Sequence, residues 1–403
     1  MKKYLKDYEY KILYKRIIFT CWILVIYIFG THIPAVTTMS TNTSISDFYK
    51  MTAANVGGDY HALNIFSLGL GPWLTAMIFM TLFYYRDSER MMKQTRREKS
   101  AKERIFTLIL ALIQAYFVVF TLLSHVKIGQ SERWLIILVL VTGAMILVWL
   151  SDLNMRFGIA GPMPIVMISI IRSIMRQNIA LSELGPVLII TAILVLIIIL
   201  LFLIFIEITE YRLPYLDVMD VSSRKEHTYL AWKLNPGGSI AIMISFAAFF
   251  VLNSAVNLIV QFFNSKHHGA LNFLDFSTPT GITIFLLLQL LLSYGISRLL
   301  LDPKRKAKDF KKNGDFFPGV EPGKPTYQYL IHKARRISWL GAFIVTIIIG
   351  IPLYATLLIP QFSKEIYLAV QIIVLVYISL NIVETVKTYL YFDQYKSFLN
   401  RYW

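Results

Sequence analysis

Long apolar runs separated by short polar segments make up most of this chain. Seven of these runs carry no charge and are 17 to 26 residues long, which matches the roughly 17–25 residues of a membrane-spanning helix. They cover residues 17–36, 105–123, 134–151, 186–206, 238–263, 281–297 and 339–360. An eighth run, residues 366–383, is interrupted by Gln371 and Asn381. The pattern predicts an all-α integral membrane protein.

Two further apolar segments are broken close to where they begin. Residues 73–85 follow Gly69-Leu70-Gly71-Pro72, and residues 158–171 contain Gly161-Pro162-Met163-Pro164. Proline suits the first turn of a helix and glycine lets backbone segments pass closely, so each break predicts a helix start. Irregular backbone at membrane depth is tolerated only where it faces protein or a water-filled cavity. With these two segments we expect ten spans around a central cavity.

The positions of the breaks indicate an internal repeat. Span seven begins after Asn235-Pro236-Gly237-Gly238, five spans beyond the break in span two and at the opposite membrane face. Paired broken helices in corresponding positions are typical of inverted repeats. We therefore expect two inverted five-helix halves, residues 1–182 and 183–403, although two ordinary loop boundaries would produce the same spacing.

Lys and Arg residues are distributed unevenly between the two predicted faces. When the N-terminus is placed inside, 33 of the 40 fall on the cytoplasmic face. An excess of Lys and Arg marks cytoplasmic segments, so we predict a multi-pass cell-membrane protein with both termini in the cytoplasm. The net charge of +16 is then mostly cytoplasmic, where it suits anionic lipid rather than nucleic acid.

The sequence offers little for catalysis. The single cysteine, Cys21, lies inside the first span and the seven histidines are scattered, so we expect no metal site, no cofactor and no enzyme activity. Lys324 follows a glycine, but its surroundings lack the spacing and the Ser or Thr of a phosphate-binding loop. Apart from Arg298 at one edge, the span cores hold no Asp, Glu, Lys or Arg, whereas ion-coupled transporters generally need such groups inside the membrane. A small-solute secondary transporter is therefore the weaker alternative.

Apolar side chains follow each break in the chain. Leu74 and Ile78 lie in span two, Met163 and Met167 in span five, and Met243 in span seven. Residues four apart share one helix face. A solute site would require polar groups here, whereas a hydrophobic constriction gates by dewetting, and flexible methionines adapt to irregular cargo. Packing against other helices or lipid is the commoner role of such positions.

Several longer motifs are similar to those of one known family. FSLGLGPWLTA, WLSDLNMRFGIAGPMPIVM, EYRLPY, TYLAWKLNPGGSIAIM and LLDPKRKAKDFKKNGDFFPGVEPGKPTYQYL occur in this order along the chain. They resemble the SecY family, the channel subunit of the protein translocase. The resemblance implies a clamshell of ten helices around a central pore. It also implies an apolar pore ring, a plug after the first span and a lateral gate between spans two and seven.

The resemblance assigns residues to each of these parts. The pore ring falls on Leu74, Ile78, Met163, Met167, Met243 and Val374. The plug falls within residues 46–60, which are too polar to span and lie on the outer side. The lateral gate falls on Phe79, Asn253, Asn257 and Gln261. The three amides recur every four residues, so they either form a polar seam that parts for a signal sequence or merely bond between helices.

The segments 208–236 and 302–337 are expected to dock a motor, because the chain carries no nucleotide site of its own. The docking residues implied are Arg212, Phe316, Phe317, Pro318, Gly319, Glu321, Pro322, Gly323 and Lys324. Within residues 302–336 we expect a basic loop whose tip exposes both phenylalanines as interface anchors.

Two departures from the usual family pattern are informative. The run before span seven reads AWKLNPGG rather than an LPLKVN-type sequence, and Glu321 stands where the family's IPGIRPG-type loop has arginine. These departures resemble the accessory branch of the family in certain Gram-positive bacteria, in which a dedicated accessory SecA exports serine-rich glycosylated adhesins. The implied partners are an accessory SecA-type ATPase, SecE/SecG-like small membrane subunits, accessory secretory proteins and a secretory polypeptide with a signal sequence. A housekeeping SecY is the alternative.

Overall fold

The computed structural model describes residues 2–35, 47–60, 63–86, 95–122, 129–177, 186–216, 228–263, 276 and 278–390. Helices form most of the regular structure in these ranges. In chain order they are α1 Lys2–His32, α2 Asp47–Ala54, α3 Gly71–Arg86, α4 Arg96–Phe117, α5 Gln130–Phe157, α6 Met163–Arg176, α7 Pro186–Ile208, α8 Gly238–Phe263, α9 Pro279–Leu301, α10 Pro303–Asn313, α11 Lys324–Leu358 and α12 Ser363–Leu390. A π-helical turn, Val118–Leu122, continues α4, and a 3-10 turn, Pro360–Phe362, precedes α12. The strands β1 Glu210–Pro214 and β2 Tyr229–Lys233 form an antiparallel hairpin.

Eight helical segments of the described residues are long and apolar enough to cross a membrane. They are Ile12–His32, Arg97–Phe120, Gln130–Phe157, Ile190–Ile208, Gly238–Val260, Pro279–Asn313, Lys324–Leu358 and Pro360–Tyr389. The prediction of a multi-pass helical membrane protein is thereby confirmed. The two broken segments form α3, of 16 residues, and α6, of 14 residues, both short for an untilted span. The total of ten spans stays a prediction.

The predicted helix starts agree with the structure. α3 begins at Gly71, α6 at Met163 and α8 at Gly238, each inside its glycine- and proline-containing break. Proline occupies an early position of α3 and α6, where its missing N–H is harmless because the first turn has no intrahelical acceptor for it. The breaks therefore mark where helices begin, as the sequence indicated.

Packing divides the chain into two compact units. The first consists of Met1–Ile179, Phe246–Asp275 and Ser363–Trp403, and the second of Ala180–Ser245 and Phe276–Phe362. These units do not coincide with residues 1–182 and 183–403, because α12 and most of α8 belong to the first unit. The inverted relation between the two sequential halves stays a prediction.

Each unit has its own buried apolar side chains. In the first, Phe117, Leu140 and Phe250 belong to one cluster on α4, α5 and α8. In the second, α9 packs along α11, and a Cβ at Gly350 would lie 3.0 Å from Leu286 Cδ1. By contrast, α7 exposes most of its apolar surface, as expected of a helix that faces lipid.

Candidate functional site

The start of α3 is packed against the end of the segment 47–60. Gly69 has φ +62°, and a Cβ at this residue would lie 2.4 Å from Gly58 N. Leu70 N donates to Val56 O at 2.9 Å, and Leu74 N donates to Leu70 O at 2.9 Å. Two backbone segments therefore run in direct contact here, which only glycine permits.

The start of α6 is fixed by a side chain that sequence reasoning missed. Asn154 Nδ2 donates to Ile159 O at 3.0 Å and to Gly161 O at 2.6 Å, and Asn154 Oδ1 accepts from Thr20 Oγ1 at 2.9 Å. Both Ala160 (φ +57°) and Gly161 (φ +54°) are in the left-handed region. The Asn154 amide thus holds a strained turn directly before α6. The motif WLSDLNMRFGIAGP contains this residue, but apolar periodicity gave no reason to single it out.

The side chains assigned to the pore ring differ in burial. Those that are fully buried are Leu74, Ile78, Val374 and, in the second unit, Met243. Met163 and Met167 are half-buried. Ser379 Oγ lies 3.9 Å from Met167 Sδ, so this thioether contacts α12 within the first unit. The closed ring of six residues stays a prediction.

Residues 47–60 form α2 and a tight turn, and most of them are buried. α2 packs against α6 and α12, and the Phe48 ring meets the Phe249 ring edge-on with centroids 5.9 Å apart. Ser46, the first residue of the predicted plug, lies outside the described residues. A short helix seated among longer helices is what a plug requires, and its displacement stays a prediction.

An ion pair that the sequence did not reveal lies at the end of this segment. Arg176 Nη1 donates to Asp59 Oδ2 at 2.6 Å, and Arg172 Nη2 lies 3.9 Å from the same oxygen. Arg172 also bonds to Thr31. The Asp59 side chain is only 10% exposed, so its charge is balanced by arginines that the charge count assigned only to membrane orientation. Burial raises the pKa of the adjacent Tyr60, whose phenol therefore stays neutral.

The amides of α8 have a partner that the sequence did not indicate. Asn257 Nδ2 donates to Asn253 Oδ1 at 2.8 Å, and Asn253 Nδ2 donates to Tyr49 Oη at 3.1 Å. The Gln261 side chain lies outside the described residues. Phe79 is 42% exposed and packs edge-on against a neighbouring ring on α4. The amide stripe thus binds the segment 47–60, and its role as a gate stays a prediction.

The segment 302–336 is not an irregular loop. It contains α10 and the first turns of α11, which pack with the β1–β2 hairpin into a structure we call the hairpin lobe, residues 210–216, 228–233 and 301–337. Hairpin pairing runs from Glu210↔Lys233 to Pro214↔Tyr229. An isolated bridge closes the lobe, since Leu216 N donates to Phe316 O at 2.9 Å and Phe316 N to Leu216 O at 3.1 Å.

The prediction that the lobe exposes both phenylalanines was wrong. Phe317 is 2% exposed and stacks on Phe310 with ring centroids 4.9 Å apart, and the Tyr329 ring centroid lies 5.2 Å from that of Phe317. Phe316 is half-buried, and its backbone forms the bridge just described. The reason is that α10 is amphipathic. Its basic residues face solvent while Ala307 and Phe310 face inward and cover Phe317.

What the lobe does expose is a turn that follows the phenylalanines. Its exposed residues are Pro318, Gly319, Glu321, Pro322 and Lys324, and Gly323 is half-buried. Gly319 and Gly323 have φ values of +78° and +111°, which favour glycine. Thr326 Oγ1 donates to Glu321 O at 2.8 Å, so the backbone is fixed while the carboxylate stays in solvent. Arg212, also exposed, lies over the Tyr229 ring at 4.6 Å.

The described residues contain no group of three or more His, Cys, Asp and Glu side chains that could hold a metal ion. Cys21 is a free thiol on the exposed surface of α1. The polar contacts of the site are hydrogen bonds and ion pairs.

Comparison with known proteins agrees with this geometry. The SecY family model matches residues 64–383. The chain belongs to the SecY family. It is 92% identical over 370 residues to an accessory Sec system protein translocase subunit SecY2 of Staphylococcus carnosus, covering 92% of this chain and all of that protein. It is 53% identical over 403 residues to the corresponding subunit of Staphylococcus aureus strain Newman, with both chains covered completely. These relatives support the accessory branch of the SecY family.

Solved structures of SecY-type channels share the fold. A structure of a protein-conducting channel has a TM-score of 0.68 at 16% identity and covers 94% of this chain and 93% of its own. A SecY structure whose plug domain is described as stabilising the closed state and maintaining a membrane seal has a TM-score of 0.65 at 15% identity, with the same coverage.

Within the SecY fold, the residues predicted for the pore ring are divided between the two units. Leu74 and Met167 lie in the first unit on helices that meet the segment 47–60, whereas Met243 lies in the second. The residues that sequence reasoning missed, Asn154 and Asp59, act through polar contacts with distant parts of the chain. No apolar periodicity reports such contacts.

Proposed function

We propose that this chain is the protein-conducting channel subunit of an accessory translocase, which passes secreted polypeptides across the cell membrane. The observation that carries the proposal is α2, a short helix seated against α6 and α12 next to the half-helix starts of α3 and α6. The accessory translocase relatives and the SecY-type fold support it. A solute carrier would require a polar site after the breaks, where this chain has apolar side chains.

The cargo that we propose is a serine-rich glycosylated adhesin bearing a signal sequence. Bulky, irregular cargo suits a ring in which Met163, Met167 and Met243 replace stiffer side chains, because methionine side chains adapt to what they contact. The driving force is proposed to come from a separate SecA-type ATPase. SecE- and SecG-like small subunits and accessory secretory proteins complete the system, with both termini of this chain in the cytoplasm.

The proposed permeability seal is the six-residue ring, assisted by α2 as a plug. Replacing Leu74 and Met243 with Asn should let ions leak, since polar side chains allow a constriction to wet. Ion conductance of membrane vesicles measures this. Unchanged conductance in both variants would remove the ring from the proposal.

The proposed entry route for signal sequences is a lateral gate between α3 and α8. Phe79 stands exposed on α3, which suits contact with an apolar signal helix. On α8, Asn253 and Asn257 bond to the plug and to each other, so parting of this helix would loosen the plug as the signal sequence binds.

The proposed motor dock is the exposed turn of the hairpin lobe with Arg212. Its rigid backbone presents Glu321 to solvent, where the family pattern has a cation. A charge reversal at an interface both selects the matching partner and repels the other. We therefore propose that Glu321 favours the accessory motor over a housekeeping SecA.

Crosslinking of a stalled secretory chain tests the proposed function directly. A photo-reactive side chain at position 74, 163 or 243 should crosslink to the cargo. The same group at Ile347 or Leu194, which are exposed on apolar helix surfaces, is the matched control and should crosslink to lipid instead. Equal capture of cargo at all five positions, or none at the first three, would refute a central polypeptide path.

A further inference from the structure

The turn formed by residues 57–59 is bound by side chains from two different helices. Tyr27 Oη of α1 donates to the carbonyl of its first residue at 3.0 Å, and Ser169 Oγ of α6 donates to the carbonyl of its second at 2.6 Å. Arg176, also on α6, donates to the carboxylate of the third, Asp59, at 2.6 Å. Each residue of the turn is therefore held by a separate side chain, and we call these three side chains the clasp.

The same turn also fits closely against neighbouring backbone. A Cβ at Gly58 would lie 2.3 Å from Ser67 O, and Asp59 N donates to that oxygen at 3.2 Å. Gly57 has φ +81°. Glycine reaches both positive and negative φ without a steric penalty, so Gly57 can change conformation while Asp59 remains bound. The turn combines a firm attachment with a residue suited to rotation.

α2 itself is held by a weaker polar contact. Asn253 Nδ2 of α8 donates to Tyr49 Oη at 3.1 Å, and we call this pair the latch. Both groups of the latch are neutral, whereas the Arg176–Asp59 bond is charge-assisted, a class roughly twice as strong. Breaking this bond would also leave the buried Asp59 carboxylate with only the more distant Arg172, at 3.9 Å, a penalty that the neutral latch does not carry.

We infer that residues 57–59 are the fixed hinge of the plug and that the latch is its releasable contact. This inference rests on the proposed function, in which residues 47–60 close the channel and the gate opens between α3 and α8. Movement of α8 would withdraw Asn253 from Tyr49, whereas α1 and α6, which carry the clasp, are not gate helices. α2 then swings out about Gly57 and returns to the same seat after transport.

Crosslinking at the latch and at the hinge distinguishes the roles of these two contacts. With Cys21 replaced by Ala, one variant carries Tyr49→Cys with Asn253→Cys, and a second carries Asp59→Cys with Arg176→Cys. Side chains that meet at their tips hold their Cα atoms further apart than a disulfide spans, so each pair is joined by a short bis-maleimide. Polypeptide transport and ion conductance are measured in membrane vesicles carrying the full chain, before and after the reaction.

A crosslinked latch should abolish transport and keep conductance at the level of the closed channel. A crosslinked hinge should leave transport intact. It should also reduce the ion leak that the two hinge substitutions cause, because the covalent link replaces the lost attachment. If the hinge crosslink blocks transport as fully as the latch crosslink, the turn itself must leave its seat and the inference is overturned.

Charge variants provide a second measurement that needs no crosslinker. Asp59→Asn should raise the conductance of the resting channel about tenfold, since the arginines then lack their counter-charge. Asp59→Glu should raise the conductance less. Arg176→Gln should raise the conductance less than Asp59→Asn, because Arg172 still lies 3.9 Å from the Asp59 carboxylate. The double variant should leak no more than Asp59→Asn, because that single change already removes the Arg176 bond. Additive leaks would show that the two residues act separately, contrary to the clasp.

Failure of the proposed function itself has a different signature. A chain lacking residues 47–54 would then conduct ions no better than the full chain, and neither crosslink would alter transport. That result would remove the plug altogether. A leaking deletion variant together with a hinge crosslink that blocks transport would instead leave the plug in place and refute only its hinge.

Discussion

Two stretches of the chain depart from the pattern of long helices, and they are held in place by different means. Residues 47–60 pack apolar side chains such as Phe48 against other helices, and they are also attached by polar side chains from those helices, namely Tyr27, Ser169, Arg176 and Asn253. The hairpin lobe is held together mainly by its own aromatic core, in which Phe317 packs against both Phe310 and Tyr329.

The difference indicates which of the two stretches is suited to move. Hydrogen bonds to separate helices can break one at a time, and each can re-form when the helix returns. An aromatic core loses its packing all at once, because interiors are close-packed and respond to the loss of any large side chain. We therefore regard residues 47–56, which precede the hinge, as a moving part and the hairpin lobe as a rigid platform.

Removal of the buried ring of the lobe should have the largest effect. Phe317→Ala deletes a fully buried aromatic side chain and should lower the stability of the lobe by about 3–5 kcal/mol. Motor binding should fall with it, because the exposed turn follows directly after this residue. Hydrogen exchange over residues 303–337, together with motor binding to membranes, measures both effects.

Phe316→Ala is the matched control for that experiment. Its side chain is half-buried and its backbone forms the bridge, so truncation should cost clearly less than at Phe317. Equal losses in the two variants, or intact protection in Phe317→Ala, would contradict a lobe held by its aromatic core.

A charge reversal on the platform should have the next largest effect. Glu321→Arg should weaken binding of the accessory motor by about 1–3 kcal/mol, which is the loss of binding free energy typical of truncating an important interface residue. Glu321→Gln removes the charge without reversing it and should fall between wild type and Glu321→Arg. Binding of accessory and housekeeping motors to membranes carrying each variant measures the change. The same affinity in all three proteins would exclude Glu321 as a specificity residue.

Some features of the fold and of the candidate site could be predicted from the sequence, and others could not. Apolar runs and glycine–proline breaks predicted the helix starts at Gly71, Met163 and Gly238, because backbone requirements are local. The burial of Phe317 could not be predicted, since it depends on α10 folding back over the lobe. The ion pairing of Asp59 likewise carried no signal, because its arginine partners lie more than 100 positions away in the chain and ion pairing has no periodicity.

Replacement of a buried amide in the moving part should have a smaller effect, and it should stabilise the closed channel. Asn55 is fully buried, and neither of its side-chain polar atoms has a hydrogen-bond partner among the described residues. An unpaired buried polar group costs about 1–3 kcal/mol, so Asn55→Leu should stabilise the seated plug and slow transport. Gln114→Leu, on α4, removes a second such amide and should act in the same way. Faster transport or a greater ion leak in either variant would show that these amides support the closed state.

The smallest predicted effect concerns the latch, the hydrogen bond between Asn253 and Tyr49. Asn253→Leu and Tyr49→Phe each remove the same hydrogen bond, and such bonds in membrane proteins average about 0.6 kcal/mol and reach about 1.7 at most. The open fraction should therefore rise by a few-fold to roughly 20-fold in each single variant, as crosslinking of a signal sequence to α3 and α8 would report. The double variant should match the singles, because one interaction cannot be lost twice.

Asn257→Leu removes only the amide–amide bond within α8 and leaves the Tyr49 contact, so its effect should be smaller. If Asn257→Leu equals Asn253→Leu, or if the two latch variants add, the amide stripe stabilises α8 rather than the plug. The moving part would then depend on its hinge and its apolar seat alone.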